Sequence, residues 1–135
     1  MILISIKKRP DFLKLSKSTI RFHSKTSLVL AGKIPEKYLI NPHTKKPDDI
    51  CRLGVTVSKK VGNAVVRNKN KRRFRDIFAK LHKENCAQNG FDYVIIAKNE
   101  ITNFDFKRIQ DDVKFCLKHI NRIIKENDAR KSQKN

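Results

Sequence analysis

The chain has 135 residues, 39% hydrophobic and 33% charged, which suits one domain with a modest core and leaves no room for a second domain. Its 32 basic residues against 13 acidic ones give a net charge of +19. The basic groups of the folded protein therefore repel one another, and a polyanionic partner would relieve this repulsion. The three cysteines and four histidines are scattered without metal-ligand spacing, which argues against a zinc site and against a disulfide framework.

Hydrophobic runs with periods of two or about 3.6 residues predict seven elements in the order αβββαβα. The predicted elements are a helix at 11–17 starting near Pro10, strands at 19–23, 27–31 and 52–58, a helix at 64–83 capped by Asn63, a strand at 91–97, and a helix that begins after Asn103 or Asp105. This order predicts an α+β fold, a two-layer α/β sandwich with a four-stranded mixed sheet and three helices.

The domain is expected to span residues 1–125, with a long proline-containing loop at 33–50 and a polar, disordered tail at 126–135. The apolar run at 1–6 is too short for a signal peptide or a membrane span. We therefore expect a cytoplasmic protein with no membrane partner.

Positive charge is concentrated at 58–75, where 18 residues hold 8 basic groups and no acidic one. Arg67, Lys71 and Arg75 recur at i, i+4 and i+8 of the predicted helix. Like charges at this spacing weaken an isolated helix by roughly a few tenths of a kcal/mol per pair. A solvated charged face is the ordinary alternative, but the lack of acidic partners favours a helix edge that lies along phosphates, which arginine binds with two N–H groups at once.

The stretch RLGVTVSKKVGNAVVRNKNKRRFRD, at 52–76, resembles the signature of the bacterial ribonuclease P protein family. The core of that signature is R-N-x-x-K-R-x-x-R, and the preceding pattern S-K-K-x-G-N-A-V is met at 58–65. The residues that match the core are Arg67, Asn68, Lys71, Arg72 and Arg75.

The resemblance implies a sheet whose strand–helix–strand crossover is left-handed, against the general rule. It also implies that the basic helix faces the catalytic RNA, and that this RNA, with Mg²⁺ that it mainly holds itself, performs the hydrolysis. The protein alone would hold no metal and contribute no catalytic residue. The residues expected to bind RNA are Lys59, Lys60, Asn63, Arg67, Asn68, Lys71, Arg72 and Arg75.

A cleft between the first helix and the sheet is also implied, where the 5′ leader of precursor tRNA binds as a single strand. The residues expected there are Phe12, Phe22 and Lys59, although Phe12 could equally be a core residue that holds the first helix down. The family often has a second aromatic residue four positions after Phe12, where this chain has Ser16, and often opens the next strand with an aromatic, where this chain has Ser27.

The implied function is that of the protein subunit of ribonuclease P, an endoribonuclease that removes the 5′ leader from precursor tRNA. The subunit would bind the leader and raise the affinity for substrate and Mg²⁺. Its implied partners are the ribonuclease P RNA and precursor tRNA, with no protein partner evident.

The alternative is a ribosomal or RNA-assembly protein without a nuclease role. A DNA-reading helix lacks a helix-turn-helix or zinc pattern, and the acidic pairs at 48–49 and 111–112 do not form a catalytic site with a histidine or serine.

Overall fold

A computed structural model describes residues 2–35 and 50–133, and within them five strands form one mixed sheet. The elements are β1 (Ile2–Ser5), α1 (Arg9–Ser16), β2 (Arg21–His23), β3 (Ser27–Lys33), β4 (Ile50–Thr56), α2 (Ala64–Lys83), β5 (Phe91–Ala97), a 3₁₀ turn (Asn99–Asn103) and α3 (Phe106–Gln133). None of the helices within these residues has the length and hydropathy needed to cross a bilayer.

The strands lie in the order β1-β4-β5-β3-β2. The pairs β1–β4 and β4–β5 are parallel, while β3–β5 and β2–β3 are antiparallel. The α+β class, the three helices and the mixed sheet are confirmed, but the prediction of four strands is wrong because β1 adds a fifth. Its four residues, three apolar and one serine, are too few for a period-two pattern to be recognised, so pairing with β4 decides their structure.

Side chains of each strand alternate between two separate hydrophobic clusters, one on each face of the sheet. In β5, Tyr93 and Ile95 enter the larger cluster beneath α2 and α3, while Val94 enters the smaller cluster beneath α1. α1 therefore covers the face opposite to the other two helices. In this position α1 packs mainly against β3 and β5 of the sheet and not against another helix.

The two long helices bury the stripes that the sequence predicts, with one exception. In α2, Phe74, Ile77 and Leu81 are fully buried. In α3, the spacing of the apolar residues predicts that Phe106 belongs to the buried stripe, but it is the first helical residue and is 42% exposed. The buried stripe of α3 consists of Ile109, Val113, Cys116, Leu117, Ile120 and Ile124.

Side-chain hydrogen bonds cap the beginnings of α2 and α3. The predicted bounds of α2 are confirmed, and Oδ1 of Asn63 caps the helix by accepting the Val66 N–H at 3.0 Å. Asp105 begins α3 by accepting the Arg108 N–H at 2.8 Å. The helix continues through 126–133, where the sequence predicts a disordered tail, since it propagates from a packed segment and places Glu126 four residues before Arg130. Most of the loop predicted at 33–50 lies outside the described residues.

A buried ion pair joins α1 to the centre of the sheet. Arg52 of β4 donates to both carboxylate oxygens of Asp92 of β5 at 2.6 Å each, and it reaches Asp11 of α1 at 3.5 Å. All three side chains are nearly excluded from solvent. Burial raises the pKa of the Asp92 carboxyl above its ordinary value, and the Arg52 guanidinium opposes that rise. Two parallel strands and a helix on one face are thus fixed relative to each other by a single guanidinium.

We expect Arg52→Ala to lower the free energy of unfolding by roughly 3–5 kcal/mol, because it leaves buried carboxylates without their cation. Arg75→Ala is the matched control, since Arg75 is exposed on α2, and it should change stability by no more than about 0.5 kcal/mol. Urea unfolding of both variants measures the difference. Equal small losses would show that the buried pair contributes little.

Candidate nucleic-acid interface

A groove lies along the free edge of β4, between α1 and α2. β1 pairs with β4 only as far as the Ser5–Leu53 pair, so the end of β4 has no strand beyond it on that side. The groove encloses about 540 Å³. Its lining residues are Lys7, Arg9, Phe12, Leu13, Val55, Thr56, Val57 and Lys71.

The floor of the groove depends on a glycine. A Cβ atom on Gly54 would lie 2.5 Å from both Cε1 and Cζ of the Phe12 ring, so only glycine allows the ring to lie this close to the strand. Phe12 is half-buried and packs against the small cluster that contains Leu15 and Val94. One edge of the ring therefore supports α1, while the remainder faces the groove.

Cations border the groove on both sides of this aromatic ring. Lys7 and Arg9 lie before and at the start of α1 and are exposed, and Lys71 of α2 is half-buried opposite them. An apolar floor with a stacking ring and a cationic rim suits a single-stranded nucleic acid, because bases stack on aromatic rings and phosphates bind the cations. Lys7, Arg9 and Gly54 were not predicted from the sequence as site residues. A glycine inside a strand pattern is the signal that could have located the close approach.

Beside the groove, α2 presents an exposed polar edge. Asn68, Arg72 and Arg75 are exposed and lie about 100–160° around the helix from the buried Phe74. The predicted residues Lys59 and Lys60 are exposed in the turn before α2. Asn63 uses its side-chain oxygen as the helix cap, so its amide nitrogen is the group left to meet a ligand. This edge can lie along a phosphate backbone without disturbing the core.

Arg67 occupies a different position from its predicted companions. It is half-buried at the first turn of α2, and its Nε is buried without a hydrogen-bond partner in the part of the chain that the structure describes. Leaving a buried N–H of a charged group unpaired is costly. A phosphate oxygen at this position would satisfy it.

One of the predicted cleft residues lies elsewhere. Phe22 faces α3 on the opposite side of the sheet from Phe12, where it stacks on His119 with a centroid distance of 4.1 Å. The prediction for Phe22 is wrong because its register opposite Val29 in β3 sends it to the larger cluster. Lys59 is exposed near the groove but is not one of its lining residues.

Acidic groups do not converge at the groove. Among residues 2–35 and 50–133, no three His, Cys, Asp or Glu side chains come close enough to hold a metal ion. Asp11 and Asp92, the buried carboxylates on the α1 face, are both engaged by Arg52. Ser16, at the expected second aromatic position, is exposed and donates its hydroxyl to the Leu13 carbonyl at 2.6 Å.

Comparison with known proteins gives consistent matches. The sequence profile of the family described as Ribonuclease P matches residues 4–121. The ribonuclease P protein component of Desulforapulum autotrophicum is 35% identical over 114 residues, covering 84% of this chain and 85% of the relative. That of Listeria innocua is 32% identical over 123 residues, with 90% of each chain covered.

Solved structures agree with these sequence relatives. The RNase P protein of Staphylococcus aureus superimposes with a TM-score of 0.65 at 32% identity, covering 84% of this chain and 92% of the other. The RNase P protein of Thermotoga maritima gives a TM-score of 0.62 at 28% identity, covering 81% of this chain and 90% of the other. The sheet and helices described above are therefore those of this group of proteins.

We expect Gly54→Ala to destabilise the protein by about 1–3 kcal/mol, because the new methyl group meets the Phe12 ring. In a Phe12→Leu background the same substitution should cost less, since the smaller side chain leaves space. Thermal unfolding of the two single variants and the double variant gives the coupling energy. Additive effects would mean that the ring does not rest on Gly54 in solution.

Proposed function

The chain belongs to the ribonuclease P protein family, and from that membership we propose that its two basic surfaces bind two different RNAs. It acts as the protein subunit of ribonuclease P, the holoenzyme that processes the 5′ ends of tRNA, in association with ribonuclease P RNA. The ribosomal alternative is therefore wrong. In the proposed division, the exposed edge of α2 binds the RNA subunit, and the groove beside α1 binds the 5′ leader of precursor tRNA.

The observation that carries this proposal is that Phe12 and Lys71 line the same groove. A single-stranded leader needs a surface for its bases and cations for its phosphates, and the groove supplies both within one open channel. A duplex offers the Phe12 ring no free base to stack on, because its bases are already paired and stacked on one another. The groove thus selects the part of the substrate that mature tRNA lacks.

Electrostatics supports the second half of the proposal. The segment 58–75 contains 8 basic groups and no acid, and all eight cations are exposed or half-buried, in α2 or in the turn before it. Binding to a folded RNA releases condensed counterions and relieves the repulsion among these cations. Arg67, with its unpaired Nε, gains a further hydrogen bond when a phosphate arrives.

Catalysis in this proposal belongs to the RNA and its Mg²⁺ ions. The protein lowers the negative potential where leader, tRNA and RNA subunit converge, which favours close approach of the two RNAs. It also holds the leader in place, so that the tRNA presents its 5′ boundary to the RNA in a fixed orientation. Through both effects the subunit raises the affinity for substrate and for the metal that the RNA holds.

Phe12→Ala should weaken binding of leader-containing precursor tRNA to the holoenzyme by roughly 1–3 kcal/mol, the usual contribution of one stacked base. Mature tRNA should bind as before, because it has no strand in the groove. Equilibrium binding of both ligands measures this, with the melting temperature of the free protein recorded alongside. If both ligands lose affinity equally and stability falls by several kcal/mol, Phe12 is a core residue and does not contact the leader.

The double substitution Arg72→Ala with Arg75→Ala should weaken assembly with ribonuclease P RNA and lower the slope of log affinity against log salt by about 0.7–0.9 per lost phosphate contact. The melting temperature should stay near that of the wild type, since both side chains are exposed. Salt titrations of RNA binding provide the measurement.

The matched control for that double variant is Lys107→Ala with Lys125→Ala, two exposed cations of α3. The control removes the same amount of positive charge, but its two residues lie on α3 and not on the exposed edge of α2. The control should reduce affinity and salt dependence much less. Equal losses in the two doubles would show that charge acts diffusely and that α2 has no dedicated RNA-binding edge.

A further inference from the structure

A cluster of three rings at the β2 edge of the molecule is unused by the groove and by α2. We call it the aromatic patch, and it consists of Phe22 of β2 with Phe115 and His119 of α3. Phe22 and His119 are stacked with an interplanar angle of 8°, and Phe115 meets both rings edge-on at centroid distances of 5.7 and 4.6 Å.

Phe115 is the exposed member of this patch, with 52% of its surface open to solvent. It adds little to the core, since the buried stripe of α3 lies on another side of the helix. Contacts to two neighbouring rings nevertheless fix its orientation. An aromatic ring held in one orientation loses little conformational entropy when a second flat group stacks on it, which is the usual property of a binding anchor.

The surroundings of the patch are positive. Lys118 lies three residues after Phe115, and Arg122 lies seven residues after it, so both share its helix surface, and both are exposed. Two exposed acids lie on this same side of the helix, Asp111, four residues before Phe115, and Glu126, four residues after Arg122, while Asp112 is buried and paired with Arg108. Within two turns of Phe115 the exposed side chains on this side combine a stacking ring with Lys118 and Arg122 against Asp111.

We infer that the aromatic patch is a second RNA-binding surface, on which an unpaired base of the ribonuclease P RNA stacks on Phe115 while Lys118 and Arg122 bind the adjacent phosphates. The inference rests on the proposed function, because it takes the same RNA subunit as partner. The chemistry is that of single-strand recognition, in which an aromatic platform binds the base and cations follow the backbone.

The position of the patch favours the RNA subunit over other occupants. α3 packs over β3 and β2, whereas the groove proposed for the leader lies at β4, on the other side of α2. The groove and the patch are thus separated by β5 and β3, while a large RNA bound to α2 can extend over the outer surface of α3, which packs beside it. A second copy of the chain is disfavoured because two molecules of net charge +19 repel each other.

The experiment uses Phe115→Ala and Phe115→Trp, with Phe106→Ala as the matched control, since Phe106 is also an exposed phenylalanine of α3 but lies outside the patch. Affinity of each protein for ribonuclease P RNA is measured, together with melting temperature, sedimentation of the free protein, and precursor tRNA binding by each holoenzyme. We expect Phe115→Ala to weaken RNA affinity about fivefold or more, Phe115→Trp to keep it, and Phe106→Ala to leave it unchanged.

Each other outcome overturns the inference. If Phe115→Ala binds ribonuclease P RNA with wild-type affinity while the Arg72 and Arg75 double variant binds it more weakly, the patch does not bind RNA and the proposed function stands. Loss of precursor tRNA binding alone assigns the patch to substrate. A wild-type dimer that Phe115→Ala dissociates makes the patch a self-contact. Equal losses in Phe115→Ala and Phe106→Ala, or a loss that follows the melting temperature, indicate a structural effect. If neither Phe115→Ala nor the arginine double variant weakens RNA affinity, both proposals fail.

Discussion

The guanidinium of Arg52 fixes the geometry on which the groove depends. It joins β4 to β5 through Asp92 and reaches α1 through Asp11, so the short helix is oriented by a polar contact as well as by the few apolar side chains beneath it. Phe12 follows Asp11 directly in the chain, and its ring rests on Gly54, two residues after Arg52. The buried ion pair and the groove proposed for the leader are therefore built from neighbouring residues of the same two segments.

Charge repulsion is the opposing constraint. Between residues 64 and 75, α2 carries six cations and no acid, which weakens the helix by itself. The buried stripe of Phe74, Ile77 and Leu81 compensates for this, because tertiary packing contributes more to helical stability than propensity does. The sheet thus holds in place a helix whose exposed cations repel one another in the free protein.

Local signals in the sequence predicted α2 to the residue, together with its cap at Asn63 and its exposed edge, because periodicity and capping are properties of contiguous residues. The groove could not be predicted in this way, since it joins Lys7, Phe12 and Lys71 from three separate segments. Phe22 shows the same limit, because only its register opposite Val29 decides which face of the sheet it occupies. The family resemblance predicted a cleft beside the first helix. The residues that line the observed groove could be identified only from the tertiary structure.

The position of β5 has a consequence for synthesis of the chain on the ribosome. β5 is the last strand in the sequence, yet it lies between β4 and β3 and joins the β1–β4 pair to the β2–β3 hairpin. Until residues 91–97 have left the exit tunnel, these two parts of the sheet share no hydrogen bonds, and the apolar stripe of α2 lacks its contact with Tyr93. Folding is thus delayed to a late, non-local step, and the nascent chain carries its basic helix before the sheet beneath it is complete.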